Sequence, residues 1–129
     1  MAYTYLGIMN ASPKLKPLVW VATSKADLMR LPRRVIHHFG FALYAAQAGG
    51  VHPNAKPLQG FGSAAVLEVV EDFQGSAYRA VYTVRFREAV FVLHAFQKKS
   101  KRGIATPKPD IDLIKDRLKA ARQIAEEMK

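Results

Sequence analysis

Residues 66–98 read VLEVVEDFQGSAYRAVYTVRFREAVFVLHAFQK, and they decide the fold. Three runs rich in β-branched and aromatic residues stand here, Val66–Phe73, Tyr78–Phe86 and Ala89–Lys98. Gln74-Gly75-Ser76 and the short Arg87-Glu88 step separate them. Links this short join neighbouring antiparallel strands, so the segment predicts a three-stranded meander.

Upstream, Leu18–Ala22 (LVWVA) is a short apolar run that predicts a first strand. Leu28, Leu31, Val35, Ile36, Phe39, Leu43 and Ala46 then recur at three- and four-residue steps, the period of one helix face. Ser24 and Asp27 have the spacing of a capping box. Pro32 interrupts the run and reads as the first turn of a second helix, because an interior proline costs about 3 kcal/mol. Gly49-Gly50 closes that helix, and residues 51–65 read as a connection. Downstream, Thr106-Pro107 predicts an N-cap followed by proline at the first helical position. Ile111, Ile114, Leu118, Ala121 and Ile124 form the stripe of a C-terminal helix. The expected class is α+β: a small antiparallel sheet packed against two N-terminal helices, with a further helix at the C-terminus. Residues 1–17 read as an extended arm and residues 18–129 as one domain.

The chain has 129 residues, 20 Lys and Arg against 10 Asp and Glu, and a formal net charge of +10. With half its residues hydrophobic it is no disordered polycation. A folded domain this basic points to a polyanionic partner. No cysteine is present, which excludes a disulfide scaffold, a Cys-ligated zinc site and a thiol nucleophile. No apolar run nears the roughly 20 residues of a membrane span, and the first residues lack the pattern of a secretion signal. The expectation is a cytoplasmic protein with no membrane partner, no metal site and no cofactor.

The charge is concentrated. Lys98, Lys99, Lys101 and Arg102 lie together with no acid between His94 and Arg102. By strand alternation Tyr78, Ala80, Tyr82, Val84 and Phe86 share one face, and Arg79, Val81, Thr83 and Arg85 the other. In the last strand Val90, Val92, His94, Phe96 and Lys98 share a face, opposite Phe91, Leu93 and Ala95. Aligned polar faces would gather Arg79, Arg85, His94 and Lys98 on one side of the sheet around Phe96. Guanidinium forks and ammonium groups match phosphate oxygens, an aromatic stacks on a base, and a histidine moves protons near neutral pH. The set suits RNA cleavage by general base, general acid and phosphate stabilisation.

Several segments together resemble a toxin of the RelE/ParE superfamily. They are Lys56-Pro-Leu-Gln-Gly60, the strand around Leu67-Glu68-Val69, Tyr78-Arg79-Ala80-Val81-Tyr82, Val92–Lys99, and the Thr106-Pro107 helix start. The segment HAFQKKSKRGIATPKPDID (residues 94–112) is similar to the HigB-like, phage-related branch. The resemblance covers roughly residues 18 to 125. It implies a RelE-like fold and an mRNA-cutting endoribonuclease working on the ribosome. It also implies a neutralising antitoxin that carries a helix-turn-helix domain. It assigns Arg79 to the active surface, Lys98 to phosphate or transition-state stabilisation with Lys99 beside it, and Lys56 to RNA contact. His94 is nominated as a base from periodicity alone. Arg85, Phe96, Lys101 and Arg102 complete the expected RNA-binding set. The chain departs from RelE in having no tyrosine after the basic loop; its last is Tyr82, on the apolar strand face. Two other readings share the fold: a ParE-like gyrase inhibitor, and a non-catalytic phage-derived nucleic-acid-binding protein.

Overall fold

The computed structural model describes residues 14–62, 65–98 and 105–129. Its elements are β1 (Leu18–Trp20), α1 (Ser24–Met29), α2 (Arg33–Gln47), β2 (Ala55–Pro57), β3 (Val66–Phe73), β4 (Ser76–Thr83), β5 (Val90–Lys98) and α3 (Lys108–Glu127). The five strands form one sheet in the order β1-β5-β4-β3-β2. β3, β4 and β5 are the expected antiparallel meander. The sheet as a whole is mixed rather than antiparallel, because β1 pairs parallel with β5 and places Leu18 opposite Val90. The α1–α2 pair and β2 to β4 supply the long crossover that a parallel neighbour requires.

Helices cover both faces. Phe39, Leu43 and Val35 of α2 bury against Val69, Ala80, Tyr82, Val90 and Val92. On the other face Ile114, Ala121 and Ala125 of α3 meet Val66, Val81, Phe91 and Leu93. Double coverage explains why β5 is nearly continuous in apolar residues. No helix among the described residues is long and apolar enough to cross a membrane.

Four details depart from the sequence reading, each for a local reason. The hairpin turn is only Gln74-Gly75, with φ of 51° and 79°, the left-handed pair of a two-residue turn. β4 therefore begins at Ser76, and it ends at Thr83 rather than Phe86. The segment read as a connection contains β2, held by Lys56 opposite Glu68; its proline stands on a sheet edge, where no amide is required. The capping box does not form. Thr23 precedes the helix and donates to Asp27 Oδ2 at 2.9 Å, while buried Ser24 donates to the Val92 carbonyl at 3.1 Å. Lys16 and Pro17 of the arm are tied to the rest of the fold. Lys16 N donates to the Gln47 carbonyl at 2.9 Å, Gln47 Nε2 returns a bond to the Lys16 carbonyl at 2.8 Å, and Val90 N donates to the Pro17 carbonyl at 2.9 Å.

A further departure shapes the site. Val81 faces His94, but the next residue, Tyr82, faces Val92, so Leu93 is an extra residue in β5. This bulge breaks the expected alternation. Val90 and Val92 lie under α2 with Ala95, while Phe91, Leu93 and Phe96 belong to the α3 side. The Leu93 carbonyl accepts from Arg117 Nη1 at 2.9 Å, which ties the bulge to α3. Without the bulge, the strand phase that points Phe91 at α3 would turn His94, Phe96 and Lys98 away from it.

Candidate active site

On the α3 face, directly paired residues place Lys56 opposite Glu68, Arg79 opposite Phe96, and Lys98 opposite Ala77. The sheet thus collects three cations and one carboxylate near the N-terminal end of α3. Glu68 and Arg79 are both deeply buried, at 4% exposure each. Arg79 Nη1 donates to Glu68 Oε2 at 2.9 Å and to Thr106 Oγ1 at 3.1 Å. Thr106 Oγ1 also lies 3.4 Å from Glu68 Oε2. The threonine does not cap α3, whose N-cap position is Pro107; its hydroxyl joins the ion pair instead. That is why a Thr-Pro step stands there: the proline starts the helix and the threonine ties the start to the site.

Glu68 Oε1 takes a different partner, the Lys56 ammonium at 3.9 Å, and Lys56 is mostly exposed. These groups line a cavity of about 440 Å³ with Leu58, Gly60 and Ile111. Glu68 is its one carboxylate among the described lining residues. Gly60 turns the chain at the rim with φ of +94°, a conformation few other residues adopt. Lys98 is buried beside the group. Burial, then the positive charge of Arg79, holds its ammonium below the ordinary lysine value; Glu68 opposes and Lys56 adds to the lowering.

The structure does not bring every expected residue here. Arg85 lies beyond the end of β4, exposed, beside Arg87, Glu126 and Lys129 at the C-terminal end of α3. Twenty residues of helix, about 30 Å at 1.5 Å per residue, separate that end from Thr106. Strand alternation fails there because β4 has already ended, and Phe86 correspondingly packs edge-on to Phe91, 5.6 Å away on the α3 side. Tyr82 is core, as expected. Lys99, Lys101 and Arg102 lie outside the described residues.

His94 lies on the site's side of the sheet but does not border the cavity among its described lining residues. Its Nε2 is 2.8 Å from Asp110 Oδ1 in the first turn of α3, and its ring stacks on Phe96 at 4.5 Å between centroids and 17°. Its Nδ1 is buried with no hydrogen-bond partner among the described residues. Burial depresses the imidazole below its ordinary value, against the opposing pull of Asp110. The sign for stability follows. Below the ordinary histidine range the unfolded chain takes up a proton that the folded chain resists, so stability falls as pH drops from about 6.5, at most about 1.4 kcal/mol per pH unit. His94→Gln is expected to flatten the melting-temperature loss between pH 7.5 and pH 5.5. A variant whose loss matches that of the unsubstituted protein places the acid sensitivity elsewhere.

Glu68 is the residue that strand patterning missed. The sequence gives it a place in the strand Val66–Phe73 and no role, and only the Lys56 pairing and the Arg79 contact show it to be internal. Among the described residues no group of three or more acidic or histidine side chains is placed to hold a metal ion. A family model described as phage derived protein Gp49-like (DUF891) matches residues 26–119, which include every residue of the cavity. A search of curated proteins finds no match.

Proposed function

The chain belongs to the phage-derived Gp49-like family, within the RelE/ParE-like toxin superfamily, and from that premise we propose that it is a HigB-like endoribonuclease toxin. In this reading it cuts mRNA on the ribosome and is held in check by an antitoxin with a helix-turn-helix domain. One observation carries the proposal: a nucleotide-sized cavity where a single buried carboxylate meets Arg79 and Lys56, with Lys98 alongside.

The chemistry assigned to these groups is transfer of the phosphate to the neighbouring 2′ oxygen. Glu68 Oε1 takes the 2′-OH proton, the 2′ oxygen forms its bond to phosphorus, and the bond to the 5′ oxygen breaks. Arg79 and Lys98 stabilise the charge that builds on the phosphoryl oxygens. Lys98, whose ammonium is held below the ordinary lysine value by burial and by Arg79, gives a proton to the leaving 5′ oxygen. Arg79 and Lys56 hold the Glu68 carboxylate in place between them by their ion pairs. Lys56 is exposed and positions the RNA backbone. His94, engaged with Asp110 and Phe96, positions the strand end that carries Lys98.

Expression of the unpaired chain is expected to arrest growth and to leave new 5′ ends inside reading frames, read by primer extension. Lys98→Ala is expected to lower the cleavage rate by 10²-fold or more, a typical loss for one charge-stabilising group. His94→Gln is expected to retain most of the rate. Intact mRNA accompanied by broken DNA overturns the nuclease reading in favour of a gyrase inhibitor. Harmless expression favours a binding protein.

A further inference from the structure

Leu93 has no partner across the β4–β5 ladder, where Val81 faces His94 and Tyr82 faces Val92. The end of β5 depends on that one extra residue. A pairing that ran on from Tyr82 and Val92 without it would set Ala95 opposite Arg79 and Lys98 opposite Ser76. Paired residues share a face of the sheet, and a slip of one residue exchanges the faces. Lys98 would then stand with Tyr78, Ala80 and Tyr82 on the α2 side, away from Arg79. With the bulge it stands opposite Ala77, on the α3 side with Arg79.

The group that holds the bulge comes from outside the sheet. Arg117, on α3, donates from Nη1 to the Leu93 carbonyl at 2.9 Å. Its Nη2 donates to Thr23 Oγ1 at 2.9 Å, and Thr23 Oγ1 donates in turn to Asp27 Oδ2, also at 2.9 Å. Asp27 Oδ2 lies 3.6 Å from Arg117 Nη1, so a carboxylate of α1 neutralises a guanidinium that is only 11% exposed. Arg30 approaches the other oxygen, Oδ1, at 3.7 Å from an exposed position. One planar fork thus fixes α3, β5 and the start of α1, and an ammonium, a point charge, does not reproduce it. Asp110, about two helical turns earlier on the same face of α3, holds the next strand residue, His94, at 2.8 Å.

We propose that Arg117 is a positioning residue for the site: by clamping the Leu93 bulge between α3 and α1, it keeps Lys98 on the face that carries Arg79. The inference rests on the nuclease reading only in giving Lys98 a part in the chemistry. Arg117 is not among the described residues that line the cavity. The charges that act on the Lys98 ammonium are those of Arg79, Glu68 and Lys56, not that of Arg117. A substitution at Arg117 that alters Lys98 therefore acts through the strand.

Strand register and the Lys98 titration are read by NMR on the free protein, with RNA cleavage as a third measure. The unsubstituted protein is expected to show a cross-strand contact between Arg79 and Phe96, and a Lys98 ammonium that titrates below the ordinary lysine value. Arg117→Ala replaces that contact by one between Arg79 and Ala95 and returns Lys98 toward the ordinary value. Its kcat falls by about 10²-fold while KM stays within about threefold, because Lys56 and Arg79 remain to bind RNA. Arg117→Lys keeps the charge beside Asp27 and shows a smaller part of each change; it decides the matter if the alanine variant does not fold. Ile114→Val, an apolar change at a buried position of the same helix, lowers the melting temperature without moving either NMR signal. Unchanged register and an unchanged Lys98 titration in the Arg117 variants overturn the proposal. An Ile114→Val protein that shifts Lys98 as far as they do overturns it equally. A chain that cuts no RNA ends the nuclease reading alone, since neither NMR measure needs RNA.

Discussion

Glu68→Ala is expected to lower the melting temperature by roughly 12–20 °C, because breaking a buried ion pair costs about 3–5 kcal/mol and each kcal/mol moves a domain of this size by roughly 4 °C. Both partner side chains are only 5% exposed. The variant removes the carboxylate but leaves the Arg79 guanidinium in the protein interior, close to Lys98. The desolvation of Arg79 was already incurred on folding, and the attraction that offset it is gone. Thr106 loses one of its two described partners as well, so the effect reaches the start of α3. Glu68→Gln separates charge from shape. Its amide oxygen still accepts from Arg79, so it should melt between Glu68→Ala and the unsubstituted protein while failing as a base. Thermal unfolding followed by circular dichroism makes the comparison. A Glu68→Ala protein melting within 3 °C of the unsubstituted one would mean the pair is effectively solvated.

How much of this could be read from the chain alone depends on the range of the interaction. The meander and three helices are set by local patterns: alternation in Tyr78–Thr83, three- and four-residue steps in Val35–Ala46, a proline beside the start of α3. Those patterns made the fold legible. The parallel β1–β5 pair, by contrast, depends on which sheet edge is free after the meander closes, and nothing in LVWVA records that. The Leu93 bulge is equally silent, since one extra residue in an apolar run leaves the run apolar. It inverted the expected partners of Phe91 and Leu93 yet left His94, Phe96 and Lys98 on the α3 side, the same side as Arg79. Arg85 was lost to a strand that ends two residues earlier. Arg79 and Lys98 drew attention because a cation on an otherwise core-forming strand stands out. Glu68 did not, because an acid in a strand between apolar residues looks like an exposed position. Its burial is a property of β2, three residues long, and of Thr106, 38 positions away.

That same buried pair yields the variant with the sharpest separation of stability from function. Glu68→Met combined with Arg79→Met is expected to melt within a few degrees of the unsubstituted protein and to lose RNA cleavage by 10²-fold or more. Replacing both members of a buried pair by apolar side chains of similar volume is often neutral, because neither charge is left stranded. The surroundings favour that outcome here. Lys98 is disfavoured by Arg79 and favoured by Glu68, so deleting both leaves the balance on its ammonium nearly as it was. Thr106 is half-buried and can take water in place of its two lost partners. Leu58 and Ile111 already border the position, so the new side chains meet apolar neighbours. Stability recovered relative to Glu68→Ala, with cleavage still absent, would assign the pair to chemistry and its energetic cost to the placement of a charge pair in the interior. A double variant as unstable as the single one would instead make Arg79 the anchor of Thr106 and the α3 start. Retained cleavage would remove both residues from the active site.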